Sequence, residues 1–349
     1  MKLVKESLFS STVRSFCISF FAVIGIIVAF FLVMLVFGAG KSSKAMETST
    51  YEAIIPDTNG RKYTFTSNQP ILLRVNITGQ IGLPNLNAQS LRSVLNESRS
   101  GPFKSHPVKG ILLYINTPGG VAMDSESMYY ALKDYALKYQ VPIYAYVEGL
   151  CASGGMYIAC AADKIYSSES SIIGSVGVLA MYFNFSEGMQ KVGVQNRTMT
   201  AGIGKDSMNP FKPWPENNPE SYTRMIELNY NQFVSVVSNA RPKLTESLLR
   251  NKYGAQVYYS TDAEEYGYID GAGYQYNEAV EMLAKAADLA DNSYQVVQLQ
   301  PKVHLSDLFS MKNKLTEKQN SFNWLKKNLL MFMSPNKEEL MNIHPSSYN

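Results

Sequence analysis

What this chain has little of narrows its chemistry first. Three cysteines occur in 349 residues, Cys17, Cys151 and Cys160, too few for a disulfide framework. Three histidines, His106, His304 and His344, stand far apart, and there is no HExxH and no CxxC. No metal site and no cofactor is therefore expected. Charged residues make up 17% of the chain and the formal net charge is only +3, so a nucleic-acid partner has no electrostatic basis. After residue 37 no apolar run is long enough to cross a bilayer.

One such run is present. Phe16 to Phe37 carries no charge, and its only hydroxyl is Ser19. As a helix rising about 1.5 Å per residue it spans roughly 33 Å, enough for a hydrocarbon core. A cleaved signal peptide competes with this reading, since Gly38, Ala39 and Gly40 would suit a signal peptidase. Its apolar core would be shorter, about 7–15 residues. Lys2, Lys5 and Arg14 precede the run while Lys41 and Lys44 follow it, a slight bias toward an inside N-terminus and an outside bulk. The expected organisation is an N-terminus over 1–15, an anchor over 16–38 and a Ser/Thr/Lys-rich stalk over 39–70 with room for one strand. A folded domain over 71–300 and a polar extension over 301–349 complete it. Within the extension, Phe322–Met333 is amphipathic, suited to a membrane surface, a partner or ordinary helix packing.

Strand and helix patterns alternate through the folded domain. Ile71–Ile77 and Gly110–Asn116 are near-continuous apolar runs, the pattern of strands buried on both faces. Leu86–Leu95 and Asp124–Tyr139 have helical spacing, the latter with Asp124 and Glu126 early and Lys133 and Lys138 late. Pro142–Val147 predicts a strand, Gly154–Ala161 a helix, and Val176–Phe183 and Val194–Thr200 further strand-like segments. Helices are expected at Glu220–Ala240, Thr245–Asn251 and Asn277–Ala290, with a last strand over 294–299. Such alternation indicates α/β layering with parallel crossovers.

Two glycine-rich turns follow successive strands. Asn116-Thr117-Pro118-Gly119-Gly120 lets backbone approach a ligand, and its N–H groups near a helix start could hold an oxyanion; a ligand-free tight turn reads equally well. Cys151-Ala152-Ser153-Gly154-Gly155-Met156-Tyr157 presents a serine at a helix start, although a serine there is also a plain N-cap. In parallel α/β sheets such turns converge at the carboxyl ends of the strands. A nucleophilic serine needs a base, and His106 lies at the entry end of its strand. Lys205, in Gly202-Ile203-Gly204-Lys205-Asp206-Ser207, is the remaining candidate, though a loop lysine is usually just solvated.

Taken in order, INTPGG (115–120), CASGGMYIACAADKIY (151–166), SIIGSVGVL (171–179), GIGKDSMNP (202–210) and YSTDA…YGYID (259–270) resemble the signal peptide peptidase A family of Ser–Lys proteases, also called protease IV. The resemblance covers roughly residues 70–290. It implies a Clp-protease/crotonase-like fold of stacked β-β-α units, with Ser153 as nucleophile and Lys205 as general base. It further implies Ser175 as the residue orienting the lysine, and Gly120 and Gly154 as oxyanion donors. Thr117 stands where serine is commoner, and Cys151, where alanine is usual, suggests sensitivity to thiol reagents. A lysine of ordinary pKa, about 10.4, is charged at pH 7, so this chemistry needs a buried amine. The implied substrates are remnant signal peptides, cut after small or apolar residues at the outer face of a bacterial plasma membrane. The implied partners are lipid bilayer and a homo-oligomeric ring whose protomers share active sites, because the chain resembles the half-length form of a family whose long form draws serine and lysine from different copies. An inactive membrane-anchored scaffold of the same fold, and a thioester-handling crotonase relative, are the competing readings.

Overall fold

The computed structural model describes residues 51–54, 69–100, 103–104, 106–217, 219–290 and 294–301. The expected anchor at 16–38 and the amphipathic stretch at 322–333 lie outside them. Among the described residues no helix is long and apolar enough to cross a membrane. The chain divides into two compact units, Met1–Ser49 and Thr50–Asn349, and the description below concerns the second.

A mixed sheet forms its centre. Strands β1 (Tyr51–Ile54), β2 (Ile71–Thr78), β3 (Val108–Thr117), β4 (Ile143–Ala152), β5 (Lys164–Ser167), β6 (Ile172–Gly174), β7 (Val257–Tyr259) and β8 (Gln295–Pro301) take the order β1-β8-β2-β3-β4-β6-β7, with β5 also on β4. The core pairs β8-β2, β2-β3, β3-β4, β4-β5 and β4-β6 are parallel, as the alternation predicts, and antiparallel pairs close the edges at β1-β8 and β6-β7. The strand allowed for in the stalk range is β1, and it pairs with β8. β4 changes partner along its length: Tyr144–Val147 pair with β5, then Leu150–Ala152 with β6.

Both faces of the central strands are covered, which explains their uninterrupted apolar runs. Ile71, Leu73, Ile111 and Leu113 enter the larger core, which they share with helices α1 (Ala88–Glu97), α2 (Ala122–Tyr139), α3 (Gly154–Ala159) and α5 (Glu220–Ala240). Leu72 and Leu112, one residue out of phase, face the smaller core on α6 (Tyr276–Ala286). Each fully buried Ile or Leu contributes about 1.5–3 kcal/mol relative to exposure. Local signals set the helix starts. Asn87 and Ser90 form a reciprocal capping box on α1, and Asp124 Oδ1 on α2 accepts from the next free amide, Ala88 N–H, at 2.9 Å.

Two expected strands are not strands. Residues 175–185 contain no regular element, the local strand being the earlier Ile172–Gly174, and 194–200 are likewise irregular. Val176 is buried in the larger core, but among the described residues most of their other apolar side chains are left exposed: Leu179 is 81% exposed and Met199 89%, with Met181, Phe183 and Val194 also exposed. A strand pattern without an adjacent edge and a face to pack on gains too little to form. Between these segments lies a short helix, α4 (Ser186–Lys191).

Asp270 ties the late segment to the sheet. Its carboxylate accepts from Arg241 Nη1 at 2.7 Å and Ile165 N–H at 2.9 Å, and meets Lys164 Nζ at 3.1 Å. Burial pushes its pKa up, but these donors and charges outweigh burial and hold it below the usual carboxylate value. A lowered carboxylate pKa adds stability above the unfolded value of about 3.9, and that stability disappears as pH falls through the folded pKa. Asp270→Asn, which strands the buried Arg241 guanidinium, is expected to cost about 3 kcal/mol in urea titrations at pH 7. The gap to wild type should narrow below pH ~4. Equal midpoints at pH 7 would refute this role.

Candidate active site

Ser153 follows β4 and opens α3. Its φ is +52° and its ψ −120°, a strained conformation for a residue with a side chain. The Ser153 N–H is held by the Gly174 carbonyl at 3.0 Å, which fixes the turn. Its hydroxyl makes no capping hydrogen bond to α3, so the N-cap reading fails and the group remains available for chemistry.

The turn after β3 is built against this serine. Gly119 has φ +94°, and a Cβ there would lie 2.8 Å from both Ser153 Cβ and Gly154 N. Gly120 threads beside Ile81: Ile81 N–H donates to Gly119 O at 2.9 Å and Val121 N–H to Ile81 O at 3.1 Å, so a Cβ on Gly120 would overlap the Ile81 carbonyl. Both glycines are required by close approach to the protein's own backbone, whether or not the turn holds a ligand. Thr117 secures the turn. Its hydroxyl donates to Gly79 O at 2.5 Å and accepts from Gly119 N–H at 3.0 Å. Threonine in place of serine keeps that hydroxyl, and its methyl lies where a side chain on Gly155 would have to go.

A cavity of about 780 Å³ opens beside Ser153 and is lined also by Gly120, Gly154 and Ser175. The Gly120 and Gly154 N–H groups have no acceptor among the described residues, as oxyanion donors require. Ser175 has φ +57° and its N–H is held by Gln256 O at 2.7 Å. Four of the five residues singled out from sequence therefore meet in one place. Lys205 does not join them. It is solvent-exposed and lines a separate cavity with Thr198, Asp206, Asn209 and Tyr222. Within this single chain the amine lacks the burial that a lysine base needs.

Cys151 corrects an expectation. It is fully buried beneath the site, and burial pushes its thiol pKa far above the ordinary range. The thiolate, not the thiol, reacts, so thiol reagents have neither access nor a nucleophile there. Cys160, also buried and free, is pushed up to about 12 chiefly by burial. Among the described residues no group of His, Cys, Asp and Glu could hold a metal. Sequence reading passed over Ile81, whose backbone clamps the glycine turn, and the cavity residues Glu126, Tyr157 and Gln232. No local pattern marks Ile81, and the other three read from sequence as ordinary positions of helices.

Residues 135–290 match the profile of Peptidase family S49. A putative signal peptide peptidase SppA of Enterococcus faecium is 34% identical over 187 residues, covering 53% of this chain and 53% of that protein. A Brucella abortus protein named Na(+)/H(+) antiporter NhaA is 32% identical over 199 residues, covering 56% of this chain but only 26% of its own length. The matched region thus spans about half of one relative and about a quarter of the other. The solved structure of a ClpP1 point mutant from Listeria monocytogenes aligns with 59% of this chain and 94% of its own at 14% identity, with a TM-score of 0.39, a likeness too distant to build on.

Proposed function

Residues 135–290 belong to peptidase family S49, and on that premise we propose that the chain is a membrane-anchored serine endopeptidase in which Ser153 attacks and Lys205 of a second copy is the base. Its substrates are unfolded, largely apolar peptides, remnant signal peptides foremost, at the outer face of a bacterial plasma membrane. The single helix expected at 16–38 anchors it, 1–15 stay inside, and the domain over 71–300 carries the site. The change of β4 from β5 to β6 is in keeping with the Clp-protease/crotonase-like stacking.

One observation carries the proposal. Ser153 has a strained backbone and a hydroxyl that makes no capping hydrogen bond, and it faces a cavity together with two amides that have no acceptor among the described residues. In the reaction the Ser153 hydroxyl loses its proton to the lysine amine and attacks the peptide carbonyl. The Gly120 and Gly154 amides hold the resulting oxyanion, and the protonated lysine returns the proton to the leaving amine. Ser175, which lines the same cavity, would hold the entering amine. The sharing of sites has its own support: the stretch holding Lys205 exposes Leu179, Met181, Phe183, Met199, Ile203 and Phe211, an apolar surface that a second copy would cover. Covering that surface would also remove Lys205 from water.

A fluorophosphonate tests the first part. It should label the wild-type chain at Ser153 and leave Ser153→Ala unlabelled. An unlabelled wild type, with its oligomer intact, would favour the inactive scaffold. For the anchor, the full-length chain should stay in the pellet after alkaline carbonate extraction, and release into the supernatant would favour a cleaved leader.

A further inference from the structure

We infer that the cavity beside Ser153 selects a long side chain ending in a cation, lysine or arginine, at the residue whose carbonyl the serine attacks, with Glu126 and Tyr157 reading its tip. This inference rests on the peptidase reading above. A carbonyl held by the Gly120 and Gly154 amides has its own Cα one bond from the reacting carbon. Its side chain must then enter the cavity that those two glycines and Ser153 line.

The walls of that cavity are apolar, from Val121, Val176 and Phe233 among others, and suit the methylene stem of a lysine or arginine. Its deeper groups are not apolar. Glu126, on α2, accepts from the Gln232 amide of α5 at 2.5 Å through Oε1, which leaves Oε2 open. Tyr157, on α3, is only 6% exposed, and among the described residues its hydroxyl has only the Gln232 amide near it, with no hydrogen bond of good geometry. Edge-to-face packing on Tyr129 at 5.5 Å, with Phe233 at 5.1 Å, prevents the ring from swinging out to find one. Burial first, and then the Glu126 charge, push the Tyr157 pKa up, with Gln232 close enough to ease the rise slightly. The phenol therefore stays neutral and can accept from an ammonium or guanidinium group.

Charge decides among occupants. The described lining carries two carboxylates, Glu126 and Glu227, and no lysine, arginine or histidine. An acidic tip would be repelled, and an apolar tip would bury a carboxylate oxygen and the phenol without partners. A cation satisfies both at once. The expectation of small or apolar residues at the cut is thereby narrowed: the walls fit it, and the polar end does not.

The test uses the full chain in detergent and fluorogenic peptides that differ only at the attacked residue, with lysine, arginine, norleucine, leucine or glutamate. Wild type is expected to favour lysine over norleucine at least tenfold in kcat/KM, and both Glu126→Gln and Tyr157→Phe should reduce that ratio severalfold. If the Glu126–Gln232 contact merely braces the two helices, Glu126→Gln lowers every substrate alike and the ratio stands, which overturns the inference. A wild-type ratio near one overturns it as well. Binding of the lysine and norleucine peptides to Ser153→Ala, by fluorescence polarisation, needs no turnover. Absent hydrolysis with a lysine preference in binding would count against the peptidase reading and not against the pocket. Equal binding of the two peptides would remove the pocket whatever the hydrolysis shows.

Discussion

Ser153→Ala is expected to lower peptide hydrolysis by about 10,000-fold or more, because no second nucleophile lines the cavity in a comparable position. Ser153 stands on a strained turn that is held by the Gly174 carbonyl and braced by Gly119, so loss of one oxygen leaves the turn intact. Circular dichroism and the thermal midpoint should therefore match wild type, within the ±0.5 kcal/mol usual for a substitution that removes no packing. Lys205→Ala and Lys205→Arg are expected to be as inactive as Ser153→Ala. Arginine keeps the positive charge and most of the length but cannot accept a proton, so it separates a base from an electrostatic contact. An active Lys205→Arg enzyme would remove Lys205 from the mechanism while leaving Ser153 in place, and His106 would be substituted next. Hydrolysis that survives Ser153→Ala would end the serine-peptidase reading altogether.

Mixing two dead variants is expected to restore activity. Ser153 and Lys205 line different cavities in one chain, and Lys205 is exposed there. If the base comes from a neighbour, a site is intact when a protomer that keeps Ser153 meets one that keeps Lys205. With Ser153→Ala and Lys205→Ala co-assembled in equal amounts, about a quarter of the sites in a symmetric ring meet that condition, since every protomer repeats the same contact. Activity should rise from nothing to about a quarter of wild type per site. If instead the loop folds back to bring both groups together within one chain, every site lacks one partner and the mixture stays inactive. Two affinity tags, pulled down in sequence, establish that the variants have co-assembled. A silent mixture after that control would discard the shared site and leave the Ser–Lys pairing to be found within the chain. Replacing Leu179 and Phe183 by serine is the matching check, because the shared-site reading requires that apolar surface to be covered.

The sequence by itself determined the layered α/β plan and most of the site. Runs such as Ile111–Ile115 are apolar at every position but Tyr114, and only a strand covered on both faces has use for that pattern. The Glu220–Ala240 helix has the bounds its spacing predicts. Ser153, Gly120 and Gly154 were legible because strand-to-helix turns in a parallel sheet converge at one edge, a consequence of chain order alone, whereas Ser175 was implied only by the family resemblance. Val176–Phe183 and Val194–Thr200 misled for a physical reason: apolar residues in a strand-like segment predict a partner surface without saying whether the same chain supplies it. Only the tertiary structure decided that the Ser153 hydroxyl is not a helix cap, that Cys151 is out of reach, and that Glu126, Tyr157 and Gln232 come together from three helices. It also decided that Lys205 and Ser153 line separate cavities within one chain. Such facts depend on distances between residues far apart in sequence, and a one-dimensional pattern encodes periodicity but not which faces meet.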